Sequence, residues 1–152
     1  MGTDEPVIRE MYIAASPEEV FPYLTEGDKY VLWMGLAAEI SARPGGVFRI
    51  DPNTRDIIAG EFVEIIAPRR VVFTWGFAAA GHPMPAGSTR VEIDLEPHEG
   101  GTLLRLTHRG LPADMKQRHE SGWDHYWNRL QMVMAGQDPG PDPYAAPEFR
   151  HS

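Results

Sequence analysis

Cysteine is absent from the 152 residues, which removes disulfides, thiolate zinc sites and a cysteine nucleophile together. Positive charge is scarce, with 14 Lys and Arg against 22 Asp and Glu and a net charge of −8. That balance opposes attraction to phosphate backbones and anionic lipid, so neither nucleic acid nor a membrane surface is an expected partner. No apolar run approaches the roughly 18 residues of a membrane span. Nothing at the N-terminus reads as a secretory signal, and Pro6 stands where a myristoylation signal wants Ser or Thr. A cytoplasmic protein is the expectation. Catalytic signatures are missing too: no Gly-x-Ser-x-Gly elbow occurs, and His119-Glu120 opens like a zinc-protease helix but Trp123 stands where the second histidine is needed. Gly45-Gly46 and Gly100-Gly101 fall in hairpin turns and not ahead of a helix, which removes a phosphate cradle. No metal and no cofactor is expected.

What the chain does have is a long aromatic helix, read from Pro112 to Met134. Asp114 is the expected N-cap, with Gln117 as its reciprocal partner three residues on. At 3.6 residues per turn His119, Trp123, Tyr126, Trp127, Leu130 and Met134 share one sector, while Gln117, Arg118, Ser121, Asp124, His125, Asn128 and Arg129 occupy the remainder. Such a helix spans roughly 30 Å, the width of a small domain, and so crosses a whole sheet.

Ahead of it, Val7 to Ala14 reads as a strand and Ser16-Pro17-Glu18-Glu19 as a capped helix start that buries Val20, Phe21 and Leu24. Glu26 to Gly35 is a weaker helical turn. The period then changes to two: strands are expected at Glu39–Ala42, Val47–Asp51, Ile57–Ile66, Arg70–Phe77, Arg90–Glu96 and Thr102–Arg109, joined by hairpin-type turns. In the last of these Arg105 marks the wet face, which places Leu104, Leu106 and His108 on the apolar one. In Ile57–Ile66 either Gly60, Phe62 and Glu64 or Ala59, Glu61, Val63 and Ile65 face inward. Ala78 to Gly87 is the longest irregular piece and the expected mouth or lid. Gly136 to Pro147 holds too many prolines and glycines for a helix and is expected to run extended over the surface. The resulting division is a domain over residues 1–135 and a tail over 136–152.

An antiparallel sheet with one long helix across its apolar face encloses a volume whose filling decides the function. Trp33, Phe48, Trp75, His108, His119, Trp123, Tyr126 and Trp127 are the residues expected to line it. Aromatic walls suit a flat apolar ligand, and a buried imidazole exchanges protons near neutral pH without large tuning.

The ordered motifs are Ala15-Ser16-Pro17-Glu18-Glu19-Val20-Phe21, Trp33, Pro44-Gly45-Gly46 with Phe48, and Gly60-Glu61-Phe62 with Glu64-Ile65. Pro68-Arg69-Arg70-Val71, Phe73-Thr74-Trp75, Gly100-Gly101-Thr102 with Leu104, His108, and Gly122-Trp123 with Leu130 complete them. Over Val7 to Met134 this series resembles the START-like (SRPBCC, helix-grip, Bet v-like) superfamily, and within it the family similar to the activator of Hsp90 ATPase homologue. The resemblance implies an α+β helix-grip fold: a curved antiparallel sheet of six or seven strands around a long C-terminal helix, with two short helices after the first strand. It also implies a stress-response setting and a pocket for a small hydrophobic ligand between sheet and helix. Because this fold hosts carriers, cyclases and co-chaperone domains alike, three readings follow. The first is a non-catalytic ligand-binding domain. The second is a polyketide-cyclase-like acid/base enzyme using His108 or His119 with Tyr126, and the third is a chaperone-regulating or homodimeric interaction module.

Overall fold

The computed structural model describes residues 5–145, so expectations falling on residues 1–4 and 146–152 lie outside it. The order is β1 (Val7–Ile13), α1 (Pro17–Val20), α2 (Pro22–Thr25), α3 (Gly27–Tyr30), β2 (Ala37–Ile40), β3 (Val47–Asp51), β4 (Ile58–Ile66), β5 (Arg70–Trp75), β6 (Thr89–His98), β7 (Gly101–Arg109) and α4 (Ala113–Met134). Seven antiparallel strands run β1-β7-β6-β5-β4-β3-β2 across one curved sheet, and the inner face receives α4. This is the helix-grip architecture.

Local chemistry sets the boundaries. Ser16 caps α1 with a complete capping box, its hydroxyl accepting from the Glu19 amide while the Glu19 carboxylate accepts from the Ser16 amide. The Ser16 amide first, and then the Ser16 hydroxyl donating to the same carboxylate oxygen at 3.1 Å, hold the exposed Glu19 carboxyl below its ordinary range. The single helix expected here is divided, because Pro22 has no N–H to continue it, and three four-residue helices replace the two foreseen. Tyr30 and Trp33 are buried behind them. In α4 the cap is displaced from the expected place: Pro112 is the N-cap without a side-chain bond. Asp114 sits inside the first turn, where its charge faces the helix dipole instead.

The sheet's inner face is built as its alternation requires. Val91, Ile93 and Leu95 of β6 pack beside Leu104, Leu106 and His108 of β7, all essentially inaccessible. Neither alternation considered for β4 holds along its whole length. Phe62 pairs with Phe73 on the inner face, then a bulge at Val63 shifts the register so that Glu64 pairs with Val72 on the outer face. Glu64 there receives Arg70 Nε at 2.8 Å, and Glu61 is exposed, so neither carboxylate enters the interior. The outer face is a lattice of paired charges. Arg70 also reaches Asp94, Arg90 and Arg109 meet Glu92, and Arg105 meets Glu10.

The Ala78–Gly87 loop is pinned at its base. Phe77 donates its amide to Met84 O at 2.9 Å, His82 lies over the Phe77 ring at 4.5 Å, and Met84 is buried. Of this stretch only Phe77, at its edge, reaches the interior cleft beside α4.

Candidate functional site

Between α4 and the sheet, the expected hollow is largely filled. Aromatic rings touch in a closed circuit: Tyr30 to Trp33 at 4.6 Å, Trp33 to Trp127 at 5.7 Å, Trp127 to Trp123 at 5.7 Å, Trp123 to Trp75 at 5.1 Å, Trp75 to Phe48 at 5.9 Å and Phe48 back to Tyr30 at 5.8 Å. Rings packed at such separations gain from edge and face contacts as well as from burial. Burial also pushes the Tyr30 hydroxyl far above its ordinary range, so it stays neutral.

What remains open is a cleft of about 30 Å³ beside the amino-terminal half of α4. That is room for about two waters. Met34, Ile58, Trp75, Phe77, Trp123 and Tyr126 give it apolar and aromatic walls, with His119 inside and Arg118 and Gly122 on the helix side. Arg118 is exposed and has no ion pair or hydrogen bond among the described residues. A Cβ built on Gly122 meets no atom within 4 Å, so the glycine leaves free space on that flank.

Both interior histidines are committed to hydrogen bonds that fix their proton positions. The Thr89 hydroxyl donates to Trp75 O at 2.7 Å, so at its other contact it accepts from His108 Nε2 at 2.8 Å. His108 Nδ1 is left as the acceptor for the Trp123 indole N–H at 3.0 Å. His119 has the opposite tautomer, with Nδ1 donating to Met115 O at 3.0 Å and Nε2 accepting from the Trp75 indole at 3.3 Å. Each imidazole is therefore neutral, and each answers one indole. Burial, and then the neighbouring His119, pushes the His108 imidazole well below its ordinary range.

Of the eight residues singled out in the sequence, Trp75, His119, Trp123 and Tyr126 line the cleft. His108 lies behind Trp123 and Trp75, while Trp33, Phe48 and Trp127 are core: Trp33 gives its indole N–H to Tyr23 O, and Phe48 stacks on Phe73 at 4.1 Å. Met34, Ile58, Phe77, Arg118 and Gly122 were not anticipated. The one available signal was Gly122, a residue that weakens a helix interior by roughly 0.5–1 kcal/mol relative to alanine and so asks for a local reason.

The human protein named activator of 90 kDa heat shock protein ATPase homolog 1 is 28% identical over 121 residues, which are 79% of this chain and 33% of that protein. The chain thus spans about a third of the length of the curated relatives it matches. An AHSA1-like protein from Rhizobium etli, solved in solution, is 42% identical with a TM-score of 0.71, covering 97% of this chain and 92% of its own. The Aha1 dimer from Colwellia psychrerythraea has the same fold at 19% identity and a TM-score of 0.75, over 90% of this chain and 98% of that one. Sequence and architecture converge where the family described as Activator of Hsp90 ATPase homolog 1-like protein matches residues 14–135, and the chain belongs to that family.

Proposed function

We propose that this domain binds a small, flat, apolar molecule bearing an acidic or carbonyl end, without catalysing a reaction on it. Its apolar part lies against Trp75, Phe77 and Trp123, and its polar end meets Arg118. The observation that carries this reading is the cleft itself, an aromatic-walled opening whose rim holds an unengaged guanidinium on an otherwise acidic protein. Ligand pockets usually measure at least roughly 300 Å³, so binding requires the walls to part. Met34 is suited to move, being unbranched and soft. The energy spent on opening weakens the apparent affinity in proportion to the rarity of the open state.

Acid/base catalysis by His108 or His119 has less support. Each ring nitrogen already donates or accepts, and protonating either imidazole breaks the hydrogen bond it accepts from an indole.

Titration with 2-naphthoate, followed by tryptophan fluorescence, tests the reading. Saturable quenching is expected, weakened about tenfold by Arg118→Gln, the loss of one charge-assisted hydrogen bond. Gly122→Leu, which fills the free flank of the helix, abolishes it. Quenching that is not saturable, or that survives Gly122→Leu unchanged, overturns the proposal. The companion Gly122→Ala raises unfolding free energy by roughly 0.5–1 kcal/mol, since the helix gains a better former and the methyl meets open space. Urea melts check that figure.

A second reading, a protein-interaction module, draws on the near-solid interior and on Leu32 and Leu36, which are 49% and 56% exposed in the α3–β2 connection. The relatives named as activators of a heat shock protein ATPase point the same way. The outer sheet face is the weaker candidate for docking, because its charges already pair within the chain. Light scattering of the pure protein, alone and with a 90 kDa heat shock protein, distinguishes homodimer, complex and monomer.

A further inference from the structure

The family match ends at residue 135, yet the chain beyond it is built against the domain. After α4 the backbone reverses in a Schellman turn: Gln137 N donates to Met132 O at 2.9 Å, Gly136 N to Val133 O at 3.0 Å, and Gly136 takes the left-handed φ of 79° that the turn requires. Gly140, at φ 74°, bends the chain again, with its amide held by Asp138 Oδ1 at 2.8 Å. The segment then runs back along α4. Arg129 donates Nη2 to Gly140 O at 3.0 Å and Nη1 to Pro139 O at 3.5 Å, and one turn earlier His125 Nε2 meets Asp142 Oδ1 at 2.8 Å. Successive contacts at 129 and then 125 set the direction: toward Gly122 and Arg118, the helix side of the cleft.

Arg129 does a second thing. Its Nε donates to Trp33 O at 3.1 Å, and the next residue is Met34, a wall of the cleft. One guanidinium therefore spans the strap, the helix and the backbone that carries the wall. We propose that residues 136–145 are a latch: while strapped to α4 they keep Arg129 on Trp33 and the Met34 wall closed, and their release loosens that wall. The latch rests on the reading of the cleft as a binding site, but its mechanical part is testable with no ligand present.

Hydrogen exchange on the full chain, comparing the unaltered protein with Asp142→Asn and Arg129→Gln, provides the test. In Asp142→Asn the amides of residues 136–145 and those of residues 31–36 exchange faster together, by about tenfold, because a neutral amide oxygen replaces the charged acceptor that meets His125. Arg129→Gln, which cuts both connections, raises both segments at least as much. Amides of β5 remain unchanged in Asp142→Asn as the control for an intact sheet. If Arg129→Gln raises the β5 amides as well, Asp142→Asn alone decides. A strap that exchanges faster while residues 31–36 do not overturns the latch, and so does a strap indifferent to Asp142→Asn. Coupled exchange in a protein that ignores 2-naphthoate sinks the binding reading and leaves the latch standing; saturable binding with uncoupled exchange does the reverse.

Discussion

Trp123→Ala lowers the unfolding free energy by about 3 to 5 kcal/mol, the range of a large aromatic truncated in a core. The side chain is 2% exposed and touches the rings of Trp75, Trp127 and His108, so its removal opens the aromatic circuit at a member joining the helix to the sheet. It also deprives His108 Nδ1 of its N–H donor, leaving a buried acceptor unmet. Trp123→Phe separates the two contributions. It keeps most of the ring volume and deletes the donor, so its cost falls to about 1 to 3 kcal/mol. Urea denaturation with an unchanged slope measures both. A loss below about 1 kcal/mol for Trp123→Ala contradicts this packing, because Trp123 is in ring contact with both Trp75 and Trp127 and joins them.

How far such packing is legible in a sequence depends on whether one periodicity governs the segment. Along α4 it does: of His119, Trp123, Tyr126, Trp127, Leu130 and Met134, placed in one sector by helical spacing, the first five are buried and Met134, at the helix end, is half-buried against the core. The strands β6 and β7 behave likewise, because strict alternation put His108 on the inner face without any knowledge of its partners. β4 resisted for a physical reason, since a bulge inserts one residue and exchanges the faces midway, and no periodic template describes both halves. The site was harder still. Whether an inward aromatic residue lines a cleft or fills a core depends on which neighbours stop short of it. Phe48 and Trp75 have the same pattern in the sequence, yet Phe48 is stacked on Phe73 while Trp75 looks onto the gap left beside Gly122. Arg118 went unremarked because it belongs to the polar side of the helix; only the packing of α4 at its observed rotation brings that guanidinium to the rim.

The strap was legible in composition but not in contact. Prolines and glycines announced a segment without α-helix or strand, and its described part runs over the surface so, except that Pro143–Ala145 closes one 3-10 turn that the composition did not announce. The pairing of Arg129 with Trp33 O joins positions 96 residues apart and has no local signature. His125 and Arg129, assigned to the polar remainder of the helix, are the residues that hold the strap.

Acid weakens this protein through His108. In the native state a proton added at Nδ1 confronts the Trp123 N–H at 3.0 Å, and the resulting charge lies in a dry interior with the His119 ring 5.3 Å away. The native imidazole is thus held well below 6.5, whereas in the unfolded chain it titrates near that ordinary value. Below about pH 6.5 the unfolded state binds more protons than the native one, so acid favours unfolding. The stability tied to a neutral His108 is complete above pH 6.5 and falls by up to about 1.4 kcal/mol per pH unit on acidification, until the native imidazole itself takes the proton. His108→Gln isolates this contribution, since a neutral amide preserves a donor and an acceptor but cannot be charged. At pH 8 the variant is less stable, by about 1 to 3 kcal/mol for imperfectly met Thr89 and Trp123 partners. Its urea midpoint then declines less steeply than the wild type's from pH 7 to 5, and the two curves approach each other. Parallel curves over that interval contradict the network, because they require that His108 be protonated as easily between Thr89 and Trp123 as it is in water.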